Sequence, residues 1–209
     1  MTHSHNKRLG FLSDSHGEFE IVERAVHILR REGADCIIHL GDFLDSARTH
    51  SRERIVNFLR ENNIRAVKGN NEVQIESTLQ SEGQGPRPEL ADYLQHLSAE
   101  TIMEDLCFVH NMPARYQVSL YEPIDVGNTD KALPILIDTS HWIIFSGHSH
   151  TPVIFELAGG KATRQVILPG SRNLLRPAAR YIIVVGSSDS GTCGLFDREQ
   201  MLYRSIRIE

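Results

Sequence analysis

Aspartate, asparagine and histidine residues follow five strand-like stretches of this sequence. They are Asp14 and His16 in "SDSHG", Asp42 in "HLGD", Asn70 and Asn71 in "VKGNNE", His110 in "CFVHN", and His148 and His150 in "SGHSH". Taken singly, such a residue is most often a cap, a turn former or a hydrogen-bonded histidine, and the Gly-Asn-Asn run by itself favours a turn. Five in succession favour a shared site, because ligands of open α/β sheets bind beyond the carboxyl ends of the strands.

The residue types at these strand ends are those of a metal centre that contains no thiolate. Carboxylate and amide oxygens combined with imidazole nitrogens suit Mn²⁺, Fe, Ni²⁺ or Zn²⁺. Seven such ligands are too many for one catalytic ion, and they fit two ions about 3.5–4 Å apart that share a carboxylate. Asn70 would be a neutral oxygen ligand, which limits the negative charge around the two cations.

Alternating strand and helix patterns position these residues in the first 70 positions. Apolar runs predict buried strands over 8–13, 35–41 and 64–69, and amphipathic periodicity predicts helices over 18–33 and 51–63. This order predicts a mostly parallel sheet with right-handed crossovers.

The rest of the chain becomes richer in strands. We expect a loop over 81–88, a helix over 88–98, and a strand pair over 99–103 and 106–110. A long loop to about Asn128, a helix near 130–140 and a strand over 141–147 should follow. From Pro152 onward we expect short strands, two of them joined by a Gly-Gly hairpin. No linker divides the sequence, so residues 1–209 are expected to form a single α/β domain. The loops over 81–88 and 111–128 are expected to select the substrate.

Composition and charge exclude several classes of protein. The 209 residues are 40% hydrophobic and carry a net charge of −5, which argues against a nucleic-acid partner. No apolar run reaches the ~20 residues of a membrane span, and the N-terminus does not read as a secretory signal. Cys36, Cys107 and Cys193 are far apart and show no metal-type spacing, so we expect a protein of the reducing cytoplasm. His39, within an apolar strand, is expected in the core, and no role is assigned to His141.

The order and spacing of the five blocks resemble those of the calcineurin-like metallophosphoesterase superfamily. Its blocks D-x-H, G-D, G-N-[HCD]-[DE], H and G-H-x-H match the sequence from Asp14 to His150 except at Asn71, and a further "PGS" lies at Pro169–Ser171. The short chain is most similar to the compact bacterial and archaeal phosphodiesterase branch, which also contains a subunit of the eukaryotic retromer coat. The resemblance implies a four-layer α/β/β/α sandwich and attack on phosphorus by a metal-bridging hydroxide. It also implies two ligand sets that share one carboxylate: Asp14, His16, Asp42 and His150 for one ion, and Asp42, Asn70, His110 and His148 for the other.

The sequence departs from the family pattern at the residue after the metal-binding asparagine. Many phosphomonoesterases of the superfamily have a histidine there, which is thought to protonate the leaving group or hold the phosphate, whereas this chain has Asn71. An amide cannot donate a proton at neutral pH. Asp45 matches the acidic partner of that histidine; we expect it to cap a helix or to accept from the Asn71 amide. His50 is an alternative acid.

Two smaller departures concern the loops. Asn111 follows His110 where the family usually has glycine, and the segment after the "PGS" is rich in arginine. Within that segment, Arg172 and Arg176 are candidate phosphate-binding residues, although exposed arginines more often form ion pairs.

These features favour a dinuclear phosphoesterase that acts on small-molecule phosphodiesters. A phosphomonoesterase or nucleotide pyrophosphatase is the alternative enzyme, and a non-catalytic scaffold like the coat subunit is the alternative of another class. The scaffold is disfavoured because every ligand position holds its expected residue. The sequence leaves a homo-oligomer open and does not identify the substrate.

Overall fold

The structure, a computed structural model, describes residues 7–81, 88–117 and 119–209. Within these residues the strands form two six-stranded sheets. The strands are β1 (Arg8–Leu12), β2 (Cys36–His39), β3 (Arg65–Ala66), β4 (Glu100–Met103), β5 (Leu106–Val109), β6 (Ile143–Ser146), β7 (Val153–Ala158), β8 (Lys161–Val166), β9 (Arg172–Leu174), β10 (Arg180–Val184), β11 (Thr192–Asp197) and β12 (Leu202–Arg207). The helices are α1 (Phe19–Arg31), α2 (Arg52–Glu61), α3 (Asn70–Ser81), α4 (Pro88–His96) and α5 (Ala132–Asp138).

The first sheet has the order β3-β2-β1-β11-β12-β9, and the second has the order β4-β5-β6-β10-β7-β8. Strands β1, β2 and β3 are parallel, as are β5, β6 and β10, and the other pairings are antiparallel. The predicted parallel start of the chain is therefore confirmed. The C-terminal strands do not form a half of their own, because they complete both sheets.

Three apolar clusters divide the molecule into four layers. Helices α1 to α4 cover the outer face of the first sheet, and α5 covers the outer face of the second. The cluster between the two sheets is aromatic at its centre, where the rings of Phe11 and Phe145 stack with centroids 4.2 Å apart. Each sheet thus buries both of its faces, and the α/β/β/α sandwich expected from the resemblance is confirmed.

The predicted elements occur close to where the periodicity places them, with one informative difference. The Gly-Asn-Asn run, which by itself favours a turn, opens helix α3 at Asn70. Of the loop expected over 81–88, residues 82–87 lie outside the described residues. Among the helices that the structure describes, none is long and apolar enough to cross a membrane.

His39 lies fully buried in β2, as expected, and this burial gives the fold a pH dependence. Burial lowers its pKa from 6.5 to about 3, so the ring stays neutral in the folded protein. Between pH 6.5 and 3 the unfolded chain therefore binds a proton that the folded chain does not, and stability is lost as the pH falls through this window.

We expect this histidine to cost the fold on the order of 4 kcal/mol by the acid end of that window. In His39→Gln the free energy of unfolding, measured by urea denaturation, should fall less steeply between pH 6.5 and 3 than in the wild type. His27→Gln, on the exposed face of α1, is the control and should keep the wild-type slope. Equal slopes in all three proteins would contradict the prediction.

Candidate active site

The seven candidate metal-binding side chains lie together where the carboxyl ends of β1, β2, β5 and β6 and the N-terminus of α3 meet. The edges of the two sheets face each other there, since the backbone N–H of His148, after β6, donates to Asp14, after β1, at 2.9 Å. A second link joins His110 Nε2, after β5, to Asn70 Oδ1 on α3 at 3.0 Å. The site is thus assembled from both sheets of the sandwich.

One group of donor atoms is formed by Asp14, His16 and His150, whose ligand atoms all lie within 4.8 Å of one another. The Nε2 atoms of the two histidines are 3.1 Å apart, and His150 Nε2 is 3.4 Å from Asp14 Oδ1. The other carboxylate oxygen of Asp14 accepts from the Ser13 hydroxyl at 2.5 Å. Asp14 is therefore held in one orientation, with Oδ1 directed at the two histidines.

The second group contains Asp14, Asp42 and His110, again within 4.8 Å. His110 Nε2 is 3.5 Å from Asp42 Oδ2, and His148 Nδ1 lies 3.1 Å from the same nitrogen. The opposite nitrogen of His110, Nδ1, is 2.8 Å from the carbonyl oxygen of Leu40. If Nδ1 donates to that carbonyl, Nε2 presents its lone pair to the site, as in many histidine ligands.

The backbone at the site is strained. Positive φ angles between 43° and 67° occur at five of the seven residues, namely Asp14, His16, Asp42, His148 and His150. Left-handed backbone costs a non-glycine residue roughly 1–3 kcal/mol and persists mainly where function requires it. These angles aim side chains from short loops into one space.

Two glycines permit the close approach of the loops. A Cβ at Gly69 would overlap Asp42, and a Cβ at Gly147 would overlap Ser13. This is the physical reason for a glycine before Asn70 and before His148.

The site combines buried carboxylates with basic imidazoles. Burial alone would raise the pKa of Asp14, but the contact with His150 and the charge of His110 lower it to about 2. Burial alone would lower the pKa of His110, but Asp42 and Asp14 raise it. The pKa of His148 is lowered by burial and by the neighbouring His110. The buried carboxylates therefore stabilise positive charge at His110 but not at His148.

These donor atoms fit divalent metal ions. Asp14 Oδ1 is buried and has no hydrogen-bond partner among the described residues, although it points at the two histidines. Ligand atoms about 2.1 Å from one ion lie about 3–4 Å apart, which matches the separations of 3.1 and 3.4 Å in this group. An ion there would satisfy the orphaned oxygen and occupy the space between imidazoles that otherwise face each other.

Asn71 holds Asp42 in place. Its backbone N–H donates to Asp42 Oδ1 and its side-chain amide donates to Asp42 Oδ2, both at 2.8 Å. Asp45 does not pair with Asn71. Its carboxylate accepts from the backbone N–H groups of Ala47 and Arg48 at 2.6 and 3.1 Å, so it caps a local turn before α2 and not a helix as expected.

The structure does not bring the candidate arginines to this group. Arg176 forms an ion pair with Glu156, and Arg172 lines a separate cleft with Arg204 near the end of α1. His50 lines a further cleft beside Gly17.

Two residues to which the sequence pattern assigned no role support the site. Asp189 Oδ2 is 3.9 Å from His16 Nε2, and the backbone N–H of Asp189 donates to the Asp14 carbonyl at 3.2 Å. Its segment, "SSDSG", has the composition of an ordinary turn and carries no signal of a site. Glu72 is fully buried behind Asp42, and its carboxylate accepts from the backbone N–H of Asp42 at 2.8 Å.

Comparison with known proteins adds a family to this geometry. The sequence model of the calcineurin-like phosphoesterase superfamily domain matches residues 8–191. Phosphodiesterase MJ0936 of Methanocaldococcus jannaschii is 24% identical over 203 residues, which are 97% of this chain and 99% of that protein.

Solved structures share the fold. A metallophosphoesterase from Sphaerobacter thermophilus has a TM-score of 0.77 at 22% identity, over 98% of this chain and 89% of that one. The hypothetical protein PH1004 of Pyrococcus horikoshii OT3 has a TM-score of 0.67 at 12% identity, over 97% of this chain and 88% of that one. Because the family match includes all five strand-end blocks, the chain belongs to the calcineurin-like phosphoesterase superfamily and is a metal-dependent phosphoesterase.

Proposed function

We propose that this phosphoesterase uses two divalent ions and prefers phosphodiesters of small molecules. One ion would be held by Asp14, His16, Asp42 and His150, and the other by Asp42, Asn70, His110 and His148. The observation that carries the proposal is the convergence of donor atoms at one edge of the sandwich: those of Asp14, His16 and His150 lie within 4.8 Å of one another, as do those of Asp14, Asp42 and His110. Asn70 and His148 approach the same place through contacts with His110 Nε2, at 3.0 and 3.1 Å. Oxygen and nitrogen donors without a thiolate suit Mn, Fe, Ni or Zn.

When bound, two such ions would supply a water of lowered pKa as nucleophile and neutralise the charge of the phosphoryl oxygens. The chain itself fixes the geometry. Asn71 orients both oxygens of Asp42, and the Leu40 carbonyl sets the tautomer of His110. Asp189 adds a negative charge beside His16, which would strengthen the hold on a cation at that end of the site.

The preference for diesters follows from Asn71. Its amide is committed to Asp42 and cannot protonate a leaving oxygen. Asp45 is occupied by its own turn and does not replace the missing acid. Without a general acid, esters with poor leaving groups should react ~10²–10⁴-fold more slowly, whereas activated diesters and phosphoanhydrides should suffer less.

Asn71→His should therefore raise monoester hydrolysis. With Mn²⁺ or Ni²⁺ added to chelator-stripped protein, the wild type should hydrolyse a chromogenic phosphodiester and be weak on an alkyl phosphomonoester, whose alkoxide leaves poorly without a proton donor and whose hydrolysis is followed by release of phosphate. The variant should gain on the order of 10²-fold on the monoester, because a histidine at this position can donate a proton.

Asn71→Ala is the matched control, since it removes the contact with Asp42 without adding a proton donor, and it should gain nothing. If the wild type hydrolyses neither ester with any metal while it remains folded, a general esterase is ruled out. A highly specific enzyme or a scaffold would then be left.

A further inference from the structure

A second group of potential metal ligands lies away from the candidate active site. It consists of Glu100 at the start of β4, Cys107 in β5, and His141 two residues before β6. One ligand atom from each lies within 4.8 Å of the other two. Cys107 is fully buried, and the other two residues are half-buried. The hairpin of β4 and β5 thus meets the segment that connects α5 to β6.

This group faces a different layer from the candidate active site. Cys107 belongs to the apolar cluster beneath α5, on the outer face of the second sheet, together with Val109 and Ile144. Its neighbour Phe108 points to the opposite face and packs between the two sheets. A ligand bound at Cys107 would therefore be separate from the ions proposed above.

The three side chains are oriented for a ligand that the protein does not itself provide. Glu100 accepts the backbone N–H of Ala114 at 3.1 Å through Oε2, which fixes the carboxylate and leaves its second oxygen available. In the part of the chain that the structure describes, no hydrogen bond is made by the Cys107 thiol or by the His141 ring. The thiol is therefore a buried, unpartnered group within 4.8 Å of an imidazole nitrogen and a carboxylate oxygen.

A nucleophilic role for this cysteine does not fit its surroundings. Burial and the nearby Glu100 raise the pKa of the Cys107 thiol to about 12, so without a cation it stays protonated. Reactive cysteines lie in exposed, electropositive surroundings, and this one is buried beside a carboxylate.

We propose that Glu100, Cys107 and His141 bind one thiophilic divalent cation of the zinc type. Thiolate, imidazole and carboxylate are the usual zinc donors, and three protein ligands leave the fourth tetrahedral position to water. Donors around a zinc ion lie about 3.4 Å apart. The three donor atoms lie within 4.8 Å of one another, so they need to close by roughly 1.4 Å at most. Binding would release the thiol proton to solvent and tie the β4–β5 hairpin to the start of β6, which stabilises the fold by mass action.

Cobalt substitution tests this site without reference to phosphoesterase activity. Co²⁺ added to the chelator-stripped full-length protein should produce a near-ultraviolet thiolate-to-cobalt charge-transfer band, which Zn²⁺ should displace. The candidate active site contains no cysteine and cannot give this band.

The band should disappear in Cys107→Ser and in His141→Ala, the latter at a half-exposed position that the core does not depend on. It should persist in Cys193→Ser, the matched control at another fully buried cysteine. Any one of three results would overturn the proposal: no band in the wild type at saturating Co²⁺, a band that persists in either ligand variant, or a band that is lost in the control.

Discussion

Replacing Asp42 with asparagine should reduce metal-dependent phosphodiester hydrolysis by at least ~10³-fold, because several kcal/mol of charge stabilisation depend on the bound ions. Asp42 is the one residue assigned to both ions, and its two oxygens are aligned by Asn71. Asparagine has nearly the same shape but no charge, so the carboxylate proposed to bridge the two ions would be lost. We expect the metal content to fall from two ions per chain to one or none.

The measurement is metal content by mass spectrometry after dialysis, together with the turnover of a chromogenic phosphodiester. Asp92→Asn, on the exposed side of α4, is the control for loss of a carboxylate and should retain both ions and full activity. An Asp42→Asn protein with two tightly bound ions and more than a tenth of the wild-type rate would refute the bridging role. Circular dichroism of each variant separates this result from misfolding.

The convergence of the candidate ligands was predictable from the sequence because its signal is local. Asp14, Asp42 and His110 each follow a short apolar run, and the carboxyl ends of neighbouring parallel strands meet at one edge. The layers were predictable through the family resemblance. The pairing of β11 with β1 was not predictable from the sequence. It places Leu9 opposite Phe196 in an antiparallel register, and no periodicity encodes that register.

The supporting residues were harder to find, because their roles depend on contacts between distant segments. Asp189 approaches His16 only after β10 and β11 have been placed, and its own sequence reads as a turn. Arg176 was a candidate from composition alone, but the fold pairs it with Glu156. The group of Glu100, Cys107 and His141 lacks the regular spacing of a zinc motif, because His141 is distant from Cys107 in the sequence and approaches it only in the folded chain.

Glu72→Ala should be the most destabilising substitution near the site. The buried carboxylate accepts three backbone N–H groups, from Asp42 and Gly69 through Oε2 and from Leu44 through Oε1, at 2.8 to 2.9 Å. Each N–H left buried without a partner costs about 1–3 kcal/mol, so we expect a loss of roughly 4 kcal/mol or more in the free energy of unfolding. The strained backbone of Asp42 would lose its anchor, and phosphoesterase activity should fall with it.

The conservative variant Glu72→Gln separates shape from charge. Its amide oxygen can still accept from Asp42 and Gly69, but its NH₂ group would face the N–H of Leu44, so its loss of stability should be about half that of the alanine variant.

Burial and the charge of Asp42 raise the pKa of Glu72 from 4.5 to about 7 in the metal-free protein. The folded state then binds this proton more tightly than the unfolded state, and the carboxyl contributes stability below pH 4.5 that is lost as the pH rises to about 7.

Urea denaturation of the metal-free proteins across this range should therefore show a steeper fall with rising pH for the wild type than for Glu72→Gln. Gln80→Ala, exposed on the same helix, should leave stability and slope unchanged. Added metal should reduce the difference in slope, because cations that cancel the charge of Asp42 remove the repulsion that keeps Glu72 protonated. If Glu72→Ala unfolds with the wild-type free energy, the three backbone contacts do not anchor Asp42, and its orientation must be set by Asn71 alone.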